Sequence, residues 1–148
     1  MPSASPENAD NVKIDDEIGR FSSAHRAMLS TINPDGTPHL VPIVFARVGD
    51  ELVSAIDWKP KSTRKLQRLE NIRADPAVSL IVDNYDDDWT KLWWVRADGS
   101  ARVIDADTDE GEAAIDALVA KYQQYSAERP AGPVIIVGKL TWRSWRAS

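Results

Sequence analysis

The sequence of 148 residues contains no cysteine and only two histidines. The lack of thiols excludes disulfides, thiolate zinc sites, iron–sulfur clusters and a cysteine nucleophile. His25 and His39 do not stand in the i, i+4 relation that helical zinc sites use, so we predict no metal site. The Gly-x-Gly-x-x-Gly and Gly-x-Ser-x-Gly motifs are also missing, which argues against a Rossmann nicotinamide domain and a serine hydrolase of that type.

Long hydrophobic runs are missing as well, and no stretch approaches the roughly 18 apolar residues that a membrane-spanning helix needs. The first ten residues have neither the basic nor the apolar part of a secretory signal, so we expect a disordered leader over 1–13 and a cytoplasmic protein. The net charge of -5 argues against a general nucleic-acid binder. An apolar content of 43% with six tryptophans is enough for one folded domain, which we place at 14–148.

The hydrophobic pattern predicts a mainly β protein with a few flanking helices. Turn signals at 33–36 and 49–50 indicate that the first three strands form an antiparallel meander. Strands are predicted over 25–32, 37–48, 52–56, 77–82, 89–104 and 134–145, and helices over 14–24, from Ser62 or Thr63 to Asp75, and from a cap at Asp105 or Asp107 to about Tyr122. Short hairpins and few helices are typical of a small antiparallel barrel.

Positive charge is concentrated in one stretch of this acidic chain. Between Lys59 and Arg73 there are six cations and a single acid, Glu70. If Ser62 or Thr63 caps a helix here, the free N–H groups of its first turn and the surrounding cations form a phosphate site. The alternative is a solvated basic face on a surface helix.

The run KPKSTRKL at 59–66, followed by NIRADPAVSLIVD at 71–83, resembles the pyridoxamine 5'-phosphate oxidase-like split β-barrel flavoproteins. Together with DDDW at 86–89, LWWVRADG at 92–99 and GPVI at 132–135, it is similar to the actinobacterial branch that uses the deazaflavin coenzyme F420. The resemblance covers nearly all of 21–145. It implies a split β-barrel and a homodimer with two equivalent cofactor sites at the subunit interface.

The same resemblance implies an F420-dependent oxidoreductase that transfers hydride between the deazaflavin and a small, apolar or conjugated organic substrate. Its cofactor-binding residues carry over as Lys61 and Arg64 for the phosphate, Ser62 and Thr63 as hydroxyl and backbone donors, Trp89 near the ring system, and Val41, Pro42 and Ile43 beside the ring edge. The polyglutamate tail of the coenzyme needs further cations, for which Lys59, Lys65 and Arg68 are available. No residue is assigned as a catalytic acid or base. The short C-terminal run differs from that of true pyridoxamine phosphate oxidases, so vitamin B6 oxidase activity is not expected.

Three alternatives stay open from the sequence. The same fold and site could hold FMN in a flavin reductase or oxidase. The protein could be a cofactor-binding module without turnover, or a dimeric scaffold with a basic surface patch and no cofactor affinity.

Overall fold

The computed structural model describes residues 6–56 and 66–147, with side chains from Ile14 onward. This part of the chain contains four helices and seven strands. In chain order they are α1 (Pro6–Ser23), β1 (Ala27–Ile32), β2 (Pro38–Ile43), β3 (Ala46–Val48), β4 (Glu51–Ala55), α2 (Gln67–Ala74), β5 (Ala77–Asn84), β6 (Trp93–Ile104), α3 (Asp109–Lys121), α4 (Gln124–Ala127) and β7 (Val134–Arg146). A 3-10 turn, Trp89–Lys91, precedes β6.

The seven strands form one antiparallel sheet in the order β2-β1-β5-β6-β7-β4-β3. The two edge strands are consecutive in the chain, since only Val44 and Phe45 separate them. Three residues of chain span at most about 11 Å, whereas the edges of a flat seven-stranded sheet lie about 29 Å apart. The sheet must therefore curl until its edges meet, which confirms the predicted split barrel.

The predicted meander is wrong, because the expected strand over 37–48 is two strands. β1 pairs with β2 and β3 pairs with β4, but these hairpins lie at opposite ends of the sheet. The backbone between them is held by distant side chains. Phe45 N–H donates to the Tyr122 hydroxyl at 3.1 Å, and the Ser54 hydroxyl donates to the Val44 carbonyl at 2.8 Å. These two hydrogen bonds take the place of the strand-to-strand hydrogen bonds that a single strand over 37–48 would have made at Val44 and Phe45.

The helix starts also differ from the predictions. α1 begins at Pro6, so the backbone of residues 6–13, expected to be a disordered leader, is helical. The cap of α2 is Leu66 in an extended conformation without a side-chain hydrogen bond, so α2 does not start at Ser62 or Thr63 as predicted. Ser62 and Thr63 themselves lie outside the described residues.

The cap of α3 is Thr108, one residue after Asp107, the later of the two predicted caps. Thr108 accepts a hydrogen bond from Gly111 N–H through its hydroxyl at 3.0 Å, and neither Asp105 nor Asp107 has this role. A threonine can cap the first turn in the same way as an aspartate, because hydroxyl and carboxylate oxygens both accept from N–H groups.

Two hydrophobic clusters make up the core. The larger fills the barrel, and its most buried large side chains include Phe21 from α1 and Phe45 from the β2–β3 corner, whose ring centroids lie 5.0 Å apart. The smaller lies between α3 and the outside of β3, β4 and β7, with Leu118 fully buried. The two clusters fix α1 and α3 against opposite sides of the barrel wall.

Helix α2 docks on the sheet through a buried polar residue as well as through Leu69 and Ile72. The Asn71 amide is 1% exposed and donates to the Thr31 hydroxyl at 3.0 Å and to the Asn33 side chain at 2.9 Å. Its oxygen accepts from the Gln67 amide at 2.7 Å. One side chain thereby joins the helix to β1 and to the turn that follows it.

The long strands β6 and β7 change register at Gly99, and this position tolerates no side chain. A Cβ there would lie 2.6 Å from the Gly138 carbonyl oxygen and 2.9 Å from side-chain atoms of Val137 and Leu140. We expect Gly99→Ala to lower the free energy of unfolding by about 1–3 kcal/mol, as overpacking does elsewhere. Urea denaturation measures this change.

The matched control is Gly19→Ala in α1, where a Cβ meets nothing within 4 Å. Removing glycine from a helix interior should raise the free energy of unfolding by about 0.5–1 kcal/mol. Equal changes for the two variants would contradict the steric argument at Gly99.

Candidate functional site

A cleft of about 410 Å³ opens between the start of β1, the β2–β3 corner, the end of β4, the first turn of α2 and α4. It is lined by His25, Arg26, Pro42, Ile43, Val44, Ser54, Ala55, Arg68 and Tyr125. Two of these described residues are arginines and none is acidic, although the chain as a whole is acidic. The cleft is therefore suited to a ligand with negative charge and an apolar part.

Three of the predicted cofactor residues meet in this cleft. Pro42 and Ile43 reach it from the end of β2, and Arg68 reaches it from α2, so two elements distant in sequence converge there. Val41 is not in the lining; it is partly buried and packs against the barrel core. Trp89 lies in the 3-10 turn with 69% of its surface exposed and is also outside the lining.

The other predicted residues, Lys59, Lys61, Ser62, Thr63, Arg64 and Lys65, lie outside the described residues, and their roles stay predictions. Both flanks of that segment are nevertheless fixed at the cleft, because Ala55 and Arg68 line it.

The end of β4 is anchored by the connector that precedes β7. Ile56 N–H donates to the Pro133 carbonyl at 3.0 Å, and Gly132 N–H donates to the Ile56 carbonyl at 3.1 Å. The connector carries a cis Gly132–Pro133 peptide and a positive φ of 82° at Gly132, where only glycine is unstrained. The two hydrogen bonds fix the end of β4, after which the cationic stretch begins in the chain.

Sequence reasoning missed two residues behind the cleft, at the end of α3. The Lys121 ammonium donates to the carbonyls of Ser22 and Phe45, both at 2.9 Å, and lies 3.8 Å from the Phe45 ring centroid. Burial lowers the pKa of Lys121 to about 8. Nothing in the local pattern singles out this lysine, since a basic last turn is ordinary in a helix.

The second missed residue is Tyr122, whose ring is buried beside His25 and Tyr125. Its hydroxyl accepts from Phe45 N–H at 3.1 Å and lies within donating distance of the carbonyls of Phe45, at 2.9 Å, and His25, at 3.1 Å. Burial raises the pKa of Tyr122, against a lowering effect of the Phe45 backbone. The hydroxyl thus remains a neutral group that can both donate and accept.

Other kinds of site are not seen in the described ranges. Among the side chains described, those of residues 14–56 and 66–147, no three His, Asp or Glu groups are placed so that they could hold a metal ion. None of the helices described is both long enough and apolar enough to cross a membrane.

The strand order and the edge-to-edge closure define a split β-barrel protein. The family model of pyridoxamine 5'-phosphate oxidase matches residues 14–146, and the chain belongs to this family. No curated protein matches the sequence significantly.

Solved structures with the same fold have little sequence in common with this chain. A heme binding protein from Mycobacterium smegmatis is 17% identical, with a TM-score of 0.67 over 86% of this chain and 51% of that one, so the present chain spans about half its length. HutZ, the heme storage protein from Vibrio cholerae, is 12% identical over 87% and 92% of the two chains, with a TM-score of 0.69. A FAD-binding protein from Mesorhizobium loti is 20% identical over 90% and 92%, with a TM-score of 0.62.

Proposed function

We propose that the protein is an F420-dependent oxidoreductase that binds the deazaflavin in the cleft and passes hydride between it and a small, apolar or conjugated substrate. The observation that carries the proposal is the cleft, whose described lining has two arginines, Arg26 and Arg68, and no acid. The lining residues Ala55 and Arg68 precede and follow the cationic stretch 59–65 in the chain. The site composition fits a ligand with a phosphate and a planar ring.

In this proposal the protein binds and orients, and the bound deazaflavin supplies the hydride chemistry. Lys61 and Arg64 hold the phosphate, assisted by Ser62 and Thr63, while Arg68 faces the negatively charged tail. Pro42, which has no N–H, and Ile43 form the apolar wall against which a flat ring packs. No side chain is assigned to proton transfer.

We infer further that the active form is a homodimer, which closes the cleft from outside. Paired residues of an antiparallel sheet share a face, and Pro42, Met28, Ile81, Arg96 and Arg143 form one row across five strands. Leu40 and Trp145 stand on this outer face, 60% and 47% exposed. Exposed apolar groups on the face that carries the cleft residue Pro42 favour a second copy on that face, and light scattering should give twice the mass of 16.4 kDa.

Two alternatives share the cleft. FMN in a flavin reductase or oxidase is supported by the structural similarity to a FAD-binding protein. Haem is supported by the similarity to two heme proteins and by His25, which lines the cleft and could serve as an iron ligand. For the F420 and FMN functions, we also propose a cytoplasmic location.

Titration of the apo-protein with F420, FMN and haemin distinguishes these functions. Tryptophan fluorescence quenching should show tight binding of F420 and weaker binding of FMN, since the cationic segment offers charges beyond those a single phosphate needs. A preference for FMN would move the protein to the flavin enzymes, and a haem absorbance band with saturation at one site would favour haem. Binding without turnover of any acceptor would indicate a cofactor-binding module.

A further inference from the structure

The end of α3 makes polar contacts with the backbone of two walls of the cleft. One wall is the start of β1, where His25 and Arg26 line the cleft, and the other is the β2–β3 corner, where Val44 lines it. The Tyr122 hydroxyl lies between them, 3.1 Å from the His25 carbonyl oxygen and 2.9 Å from the Phe45 carbonyl oxygen. Tyr122 itself is not part of the lining.

The hydroxyl has one proton and two neighbouring acceptors, so it cannot fully satisfy both. Lys121 resolves this competition, because its ammonium already donates to the Phe45 carbonyl at 2.9 Å and to Ser22 at the end of α1. The tyrosine proton is then available for the His25 carbonyl, while the hydroxyl oxygen accepts from Phe45 N–H. A single side chain thus bridges the two walls.

We propose that Tyr122 is a positioning residue of the cofactor cleft, holding the start of β1 and the β2–β3 corner at a fixed separation, with Lys121 directing its hydroxyl. This inference rests on the proposed function only in taking the cleft as the cofactor site. The ring of Tyr122 supports the same arrangement, since it packs against the His25 and Tyr125 rings with centroids 5.8 Å away in each case.

The test uses Tyr122→Phe, which keeps the buried ring and removes only the bridge. F420 and FMN serve as probes, and the one that binds the natural protein is used. Its dissociation constant should be about tenfold higher for Tyr122→Phe. Lys121→Met should also raise the dissociation constant, because the tyrosine proton is then donated to the Phe45 carbonyl and no longer to that of His25. An unchanged affinity in Tyr122→Phe would overturn the proposal.

Gly99→Ala is the control for general destabilisation, since Gly99 lies outside the cleft lining and its substitution is expected to weaken the fold. It should bind the probe as the natural protein does. If it loses affinity as much as Tyr122→Phe, the loss reflects stability alone and the positioning role is refuted.

A protein that binds neither probe would refute the proposed function but not yet the bridge. Amide hydrogen exchange then decides, because Phe45 N–H donates to the Tyr122 hydroxyl. In Tyr122→Phe this amide should exchange faster relative to core amides such as that of Leu80, and in Gly99→Ala the ratio should stay unchanged. If the exchange rate of Phe45 N–H relative to Leu80 N–H is the same in both variants, the bridge does not exist.

Discussion

Replacing Lys61 and Arg64 together by alanine should weaken cofactor binding about a hundredfold and leave the fold intact. Each residue is expected to make a charge-assisted hydrogen bond to phosphate, and losing one costs about 1.5–3 kcal/mol. Even the lower figure is about tenfold in affinity for each single variant. Fluorescence titration gives the dissociation constants, and far-UV circular dichroism verifies the fold.

The control is the double variant with Arg47→Ala and Lys139→Ala, two exposed cations outside the cleft lining. It loses the same charge, so it separates a specific contact from general attraction of an anion to the protein. Equal losses in both double variants would point to general attraction. No loss in Lys61→Ala with Arg64→Ala would refute the phosphate site, and the basic segment would be a solvated surface.

Replacing Asn71 by alanine should lower the free energy of unfolding by about 2–4 kcal/mol. The amide makes three hydrogen bonds and is almost completely buried, as is Thr31, one of its partners. Removing it leaves buried polar groups unpaired and detaches α2 from the turn after β1. Urea denaturation measures the change.

Two further variants, Asn71→Asp and Glu70→Ala, test whether the hydrogen bonds of Asn71 cause this loss of stability. Asn71→Asp keeps the shape but loses the two donors, so it should destabilise at least as much as alanine if hydrogen bonding is the cause. Glu70 forms an exposed ion pair with Arg73 at 3.5 Å on the same helix, and its loss should change stability by less than about 1 kcal/mol. Near-native stability of Asn71→Ala would contradict the role given to the network.

Strand positions could be predicted from the sequence because local alternation and turn residues determine them. The predictions over 77–82 and 134–145 agree closely with β5 (Ala77–Asn84) and β7 (Val134–Arg146). The break between β2 and β3 could not be predicted this way. It depends on a hydrogen bond between Phe45 and Tyr122, 77 positions apart in the chain.

The site was accessible to sequence reasoning only in part. Pro42 and Ile43 were predicted from the family resemblance and Arg68 from the cationic stretch, and the structure brings all three to one cleft. The other lining residues carry no local signature, because tertiary packing brings each of them to the cleft: His25, Arg26, Val44, Ser54, Ala55 and Tyr125. A lone histidine or tyrosine in a sequence is compatible with many surroundings.

The pairing of β4 with β7 has a consequence for how the chain is made. Ala55 pairs with Val134 and Leu52 with Val137, so the β3–β4 hairpin has no strand to join until the ribosome has delivered the last strand. Because β2 runs directly into β3, the barrel cannot close earlier either. A nascent chain that lacks β7 should therefore present an open sheet edge, the kind of surface that molecular chaperones recognise.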